Sequence, residues 1–247
     1  MEISDFYMTL PYDLSGARSK NRFCIELLWG ISKILDIYDE DDFTIVFDYF
    51  CDIEIHCKDK LEFYQLKSHM GIKKYIINDL ANPGKKKNSI LGKLFILEKD
   101  NEMNVKLAIV SNGYLRDNSI IKEEFKEIEL NDLSEKSKTK IKDLIQTELK
   151  LDEVNLSAVF FIHIDMNLKD PGSEIKGKLI TKFEKIKGCE PKKPHALYRF
   201  IYDTVRQKAC YEFSCEDYDK MLSLKGMSKA DFERILNLFV DNIDKSV

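Results

Sequence analysis

An aspartate at position 52 is followed, after twelve residues, by Gln65-Leu66-Lys67. A carboxylate is a hard oxygen donor of the kind that Mg²⁺ prefers. Gln65 offers a neutral carbonyl oxygen, and the backbone carbonyl of Leu66 a further one. Lys67 brings an ammonium that can hold an attacking water and offset charge on a pentavalent phosphorus. Glu26, upstream, is a carboxylate able to reach the same ion from the side. Together these are the parts of a metal-assisted phosphodiester hydrolysis, with Mg²⁺ as the expected ion and Mn²⁺ as its substitute. Asp48 and Glu54 are nearby carboxylates available to the same donor set.

The elements that must position these groups can be read from periodicity. Apolar residues at spacings of three and four (Phe23, Leu27, Leu28, Ile31, Ile34, Leu35) predict a helix from Ser15 to about Ile37, with Asp13 or Ser15 as its cap. Phe43 to Phe50 and Cys51 to Cys57 predict two strands. The second alternates, placing Asp52, Glu54 and His56 on one face. Lys58-Asp59-Lys60 is a tight turn into a third strand, Leu61 to Ser68, so that Asp52, Gln65 and Lys67 meet at one edge of a meander. Asn82 to Asn88 is a turn, after which Ser89 caps a helix through Leu97. Val105 to Val110 is a strand ending at Ser111-Asn112-Gly113. Leu133 to Leu149 is a charged, solvent-facing helix. Ala158 to Ile164 is the most apolar strand and is expected at the centre of a sheet. From Ser173 onward the pattern is helical, broken at Gly188 to Pro191 and at Gly226, with Ser228 and Asp231 opening the last helix. The whole predicts a single α/β domain over 1–247, with a core at about 12–170 and a helical C-terminal lobe at about 171–247.

Charge is unevenly spread. The chain has 39 Lys and Arg against 43 Asp and Glu, a net −4 that argues against a simple nucleic-acid coat. Yet Asp36 to Glu54 holds eight acids and no base, while Lys58 to Lys93 holds nine lysines and three acids. Lys73, Lys74, Lys85, Lys86 and Lys87 follow the proposed site and suit phosphate contacts, which give affinity without sequence choice. Arg18, opening the long helix, is placed to touch the same backbone. His56 and His69 lie near the site, in structural or phosphate-contact roles. His163 reads as a hydrogen-bonded sheet residue. Neither the histidines, including His195, nor the six cysteines give a nucleophilic triad or a paired C-x-x-C zinc spacing. There is no Gly-rich phosphate loop for ATP. No run approaches the roughly 18 apolar residues of a membrane helix, and the acidic N-terminus is unlike a signal peptide. A cytoplasmic protein with reduced thiols is expected.

The pattern Asp52…Gln65-x-Lys67, with Glu26 on the preceding helix, resembles the PD-(D/E)XK nuclease superfamily. Ser15-Gly16-Ala17-Arg18, the Asp48…Asp52 pair and Phe63-Tyr64-Gln65-Leu66-Lys67-Ser68 resemble, more closely, the nuclease domain of the CD-NTase-associated double-strand DNA endonucleases of CBASS- and Lamassu-type anti-phage systems. Val110-Ser111-Asn112 and Lys225-Gly226-Met227-Ser228 are similar to later segments of that domain. The resemblance implies a restriction-endonuclease-like mixed sheet with flanking helices. It also implies a Mg²⁺-dependent endonuclease acting on double-stranded DNA, with Asp52 and Gln65 at the metal and Lys67 at the water. Gln65 replaces the usual acid, so a non-catalytic adaptor on a degenerate nuclease fold is the alternative. The related domains are effectors coupled to sensors. Activation is therefore expected from homo-oligomerisation or from a sensor partner such as an ATPase or SMC-like protein.

Overall fold

The computed structural model describes residues 3–11, 13–40, 42–98, 104–118, 120–121, 124–165 and 170–240. Helices α1 (Ile3–Thr9) and α2 (Ser15–Ile37) precede an antiparallel meander of β1 (Phe43–Phe47), β2 (Ile53–Cys57) and β3 (Lys60–Lys67). There follow β4 (Lys74–Tyr75), α3 (Ile77–Ala81), α4 (Ile90–Phe95), β5 (Asn104–Ser111), β6 (Tyr114–Asp117), β7 (Ile120–Ile121) and β8 (Glu127–Glu129). The chain continues through α5 (Glu135–Leu149), β9 (Val159–His163), α6 (Pro171–Lys187), α7 (Pro194–Ala209), α8 (Tyr218–Lys225), β10 (Gly226–Ser228) and α9 (Lys229–Asn237). The last seven residues of the expected C-terminal helical stretch, 241–247, lie outside the described residues.

Among the described residues, the main sheet has seven strands in the order β10-β1-β2-β3-β5-β9-β8. The β10 to β3 half is antiparallel, β3-β5-β9 is parallel, and β8 closes antiparallel on β9. This is the restriction-endonuclease-like mixed sheet that the sequence predicts. Both faces are covered, which is what parallel strands require. One core lies under α2, α6, α7 and α9, and includes Ile31, Ile45, Tyr64, Leu179, Ile201 and Phe232. The other lies under α3, α4 and α5 and includes Phe63, Leu80, Leu94, Ile109, Ile141 and Phe161. Gly30 lets α2 lie close on β1, since a Cβ there would stand 2.5 Å from the Phe47 ring. Next to it Trp29 meets Tyr64 of β3 at 5.0 Å between ring centroids, the kind of aromatic pair that adds about 0.5–1.5 kcal/mol beyond its area. No helix among the described residues is long and apolar enough to cross a membrane.

Several expectations change, among them the second strand, which begins at Ile53 and leaves Asp52 in the turn before it. The first strand stops at Phe47, because Asp48 adopts φ 49° and starts a turn that the Asp48 N–H closes on the Asp52 carbonyl at 3.0 Å. The apolar segment at β9 is next to the edge and not central. The centre belongs to β3, whose Glu62 is nevertheless tolerated because it accepts from Tyr64 Oη and pairs with Lys60. Burial on both faces, rather than apolarity alone, marks the central strand. The charged helix α5 is not purely solvent-facing, since it buries Ser137, Ile141 and Ile145. Lastly, the break at Gly226 is itself a strand, β10, which pairs with β1 through Thr44↔Ser228 and Val46↔Gly226. The C-terminal helical region therefore supplies one edge of the sheet. Two capping predictions agree: Ser89 Oγ accepts from the Gly92 N–H, and Ser228 and Asp231 form a reciprocal box. At α2 the N-cap is instead Leu14, with no side-chain cap bond, and Asp13 Oδ1 accepts only from the Ser15 N–H.

Candidate active site

Register brings the three motif residues together. Ile53 pairs with Tyr64, so one step further the chain sets Asp52 beside Gln65, where β2 begins and β3 ends. Asp52 Oδ2 accepts from Gln65 Nε2 and, at 2.6 Å, from the Leu66 N–H. Lys67 Nζ lies 4.0 Å from the same oxygen and donates to the Leu66 carbonyl at 2.7 Å. The Leu66 carbonyl is thus already used by Lys67. Glu26, on α2, lines a small pocket with Leu66, Lys67, Val110 and Ser111.

The electrostatics is that of a half-dry site holding more acid than base. Burial raises the Asp52 carboxyl above its ordinary value, although Lys67 and the two hydrogen-bond donors oppose the shift. Burial also pushes Glu26 up to about 8, with the Asp52 charge adding to the effect. Lys67 is lowered by burial, against the pull of Asp52 and Glu26. At 4.0 Å the ion pair does not offset the loss of water around either partner.

Two clefts open on this cluster. One, of about 440 Å³, is lined by Asp48, Tyr49, Asp52, Gln65 and Lys93. The other, of about 260 Å³, is lined by Lys67, Asp79, Lys86, Asn88 and Lys93. Lys93 on α4 borders both, and Arg22 on α2 acts on Glu26 from one turn away. Sequence reasoning passed over both. The i, i+4 spacing of Arg22 and Glu26 was a readable signal; that of Lys93 was not, because it depends on how α4 docks.

The remaining candidates separate. Lys86 reaches the cleft, while Lys85 and Lys87 are exposed beside it in a turn where Gly84 takes φ 55°. Lys74 is exposed, and Lys73 is held by Asp79 at 3.2 Å and lies over the Tyr75 ring. Arg18 shares a separate concavity of about 280 Å³ with Arg22, Ser68 and His69. Glu54 shares Asp52's strand face but is fully buried and bonded to the backbone of the turn. His56 sits behind it, His163 bonds to the Gly113 carbonyl and stacks on Tyr114, and His195 is exposed on α7. His69 is bound on both sides of its backbone: Asn112 Oδ1 accepts from its N–H and Asn112 Nδ2 donates to its carbonyl. Ser111 Oγ donates to the Lys67 carbonyl at 2.6 Å. The turn after β5 thus holds the end of β3.

Among the described residues, no three His, Cys, Asp or Glu side chains converge as a metal cluster. The oxygen donors here that could hold a cation are Asp52, the Gln65 amide and Glu26. Mg²⁺ commonly keeps several waters and takes only one or two protein carboxylates.

Residues 14–209 match the family model for the Cap4 dsDNA endonuclease domain. The chain is 26% identical over 253 residues to the Lamassu protein LmuA of Bacillus cereus (strain VD014), an alignment covering 96% of this chain and 68% of that protein. No solved structure matches significantly. The match extends over most of the sheet and the whole Asp52–Lys67 motif, and the chain belongs to the Cap4 dsDNA endonuclease domain family.

Proposed function

We propose that this protein hydrolyses phosphodiester bonds of double-stranded DNA with divalent-cation dependence, as an effector of prokaryotic anti-phage defence. The observation that carries the reading is the meeting of Asp52, Gln65 and Lys67 at one strand end, beside two open clefts. Asp52 and Gln65 hold the ion, with Glu26 at its side. Since Gln65 Nε2 is committed to Asp52, its Oε1 is the donor left for a cation. When bound, Mg²⁺ or Mn²⁺ supplies Lewis-acid activation of the phosphate and of water. Lys67 orients the water against phosphorus and offsets charge as the phosphorus–oxygen bond to the leaving strand breaks. Lys86 and Lys93, with Lys73, Lys74, Lys85, Lys87 and Arg18 further out, follow the DNA backbone. No helix among the described residues is marked out for reading base edges, so cutting has low sequence specificity.

Such an activity needs restraint. Cleavage is gated by self-association or by a sensor partner of the ATPase or SMC type. The likeness to a Lamassu protein and the absence of an ATP phosphate loop in this sequence support that division of labour. Plasmid digestion over a protein dilution series tests it. A rate per molecule that rises steeply with concentration or with added partner is expected, giving a smear. A constant rate per molecule at every dilution, without partner, contradicts the gating, and discrete fragments contradict low specificity.

One observation favours the adaptor alternative: the Gln65 amide places a hydrogen-bond donor where a second carboxylate would face the ion. Stable partner binding with no cation-dependent cleavage would decide for it.

A further inference from the structure

Glu54 is completely buried, yet the chemistry proposed above does not use it. Its Oε1 accepts from the Phe50 and Cys51 N–H groups at 2.6 and 3.3 Å, two amides of the turn between β1 and β2 that ends in Asp52. Its Oε2 lies 3.1 Å from His56 Nε2. An ionised carboxylate only accepts, so Nε2 carries a ring proton, and in the Nε2–H tautomer Nδ1 is an acceptor. Tyr218 Oη stands 2.9 Å from Nδ1 and in that tautomer donates to it. In that tautomer the bonds converge on Glu54, which accepts from His56 on one oxygen and from the turn amides on the other, while His56 in turn accepts from Tyr218.

Two more ties reach the same turn. Tyr49 Oη donates to the Cys215 carbonyl at 3.3 Å. Lys225, only 2% exposed, donates to the Ala209 and Tyr211 carbonyls, and its charge acts on Asp48 and Glu54. Cys215, Tyr218 and Lys225 all follow residue 209, where the family match ends. The turn that carries Asp52 is thus braced from a segment outside the matched domain.

We infer that Glu54, His56 and Tyr218 are positioning residues, which fix the Asp48–Asp52 turn and hence the Asp52 carboxylate from α8; the inference rests on reading Asp52 as a site residue. Buried carboxylates that accept backbone amides hold loops because an unmade bond there leaves a charge unsatisfied. The link makes the seating of α8 a determinant of site geometry, with no contact between α8 and DNA required.

The test uses the full chain and Tyr218→Phe, a change at a side chain that is 55% exposed and so compatible with folding. Hydrogen exchange at Phe50 and Cys51 should accelerate about tenfold, with α2 and β5 unchanged. Mn²⁺ binding, followed by electron paramagnetic resonance without DNA, should weaken several-fold. Glu54→Gln should produce both effects more strongly. Nitrogen-15 shifts of His56 in the unaltered protein should report the Nε2–H tautomer. Unchanged exchange at the turn, faster exchange with unchanged Mn²⁺ affinity, or an Nδ1–H tautomer would each overturn the inference. Failure of the nuclease reading looks different: the unaltered protein would bind no Mn²⁺ and cut no DNA, while the turn still responded to Tyr218→Phe.

Discussion

Glu26 and Asp52 are two carboxyl groups that burial drives toward their neutral forms, with Lys67 the nearest cation. The consequence for stability has a definite sign. Glu26 binds its proton more tightly in the folded chain, with a value of about 8 against 4.5 in the unfolded reference. Its contribution is therefore complete below pH 4.5 and is lost as pH rises through about 8. Glu26→Gln should match the unaltered protein in urea unfolding near pH 4. Near pH 9 it should be more stable by about 1–2 kcal/mol, the full linkage being discounted for partial solvent access. Added Mg²⁺ should narrow that difference at high pH, because it favours the ionised pair. At this scale Asp52, Gln65 and Lys67 were legible in the sequence, since strand alternation and a short turn fix which side chains share an edge. Glu54 was not. Alternation places it on the face of Asp52, but only the fold shows that the turn's own amides and His56 occupy both its oxygens.

The elements that hold the site are mostly those written in local pattern: α2, the β1-β2-β3 meander, the Ser89 cap of α4 and the capping box of α9. What local pattern does not carry is which strand lies next to which. β10, three residues long, was hidden inside a helical reading, and its pairing with β1 depends on Gly226. A Cβ at that position would stand 2.5 Å from Thr44 Cγ2 and 2.6 Å from the Leu222 carbonyl. Gly226→Ala should therefore destabilise the protein by about 1–3 kcal/mol in urea unfolding, as overpacking does. The turn after β5 makes a second test of element-scale support. Asn112→Ala removes both hydrogen bonds to the His69 backbone and should cost about 1–2 kcal/mol. Cleavage by this variant should fall about tenfold under conditions where it is fully folded, since the segment following Lys67 loses its clamp.

Across the whole molecule the net charge of −4 conceals a division. Acids gather before and within the turn that carries Asp52, and lysines gather just beyond Lys67, around the two clefts. An acidic protein can therefore present a locally basic path to a polyanion. Replacing Lys85, Lys86 and Lys87 with glutamine should lower the slope of log affinity against log salt for duplex DNA by roughly 0.9 for each lysine that touches a phosphate. The melting temperature should be unchanged, because all three side chains are exposed. An unaltered slope would remove them from the DNA path.

The central claim is that the Asp52–Gln65–Lys67 edge is a cation-dependent nuclease site, and plasmid cleavage by Lys67→Ala tests it most directly. Lys67 is partly buried at an unfavourable position for its charge, so its loss should leave the thermal melt within a few degrees of the unaltered protein. With Mg²⁺ or Mn²⁺ at high protein concentration, and with partner where required, the unaltered chain should cut duplex plasmid and stop on chelation. The Lys67→Ala chain should cut at least about a hundredfold more slowly, the loss seen when one group stabilising transition-state charge is removed. Equal cleavage by the two folded proteins would contradict the account.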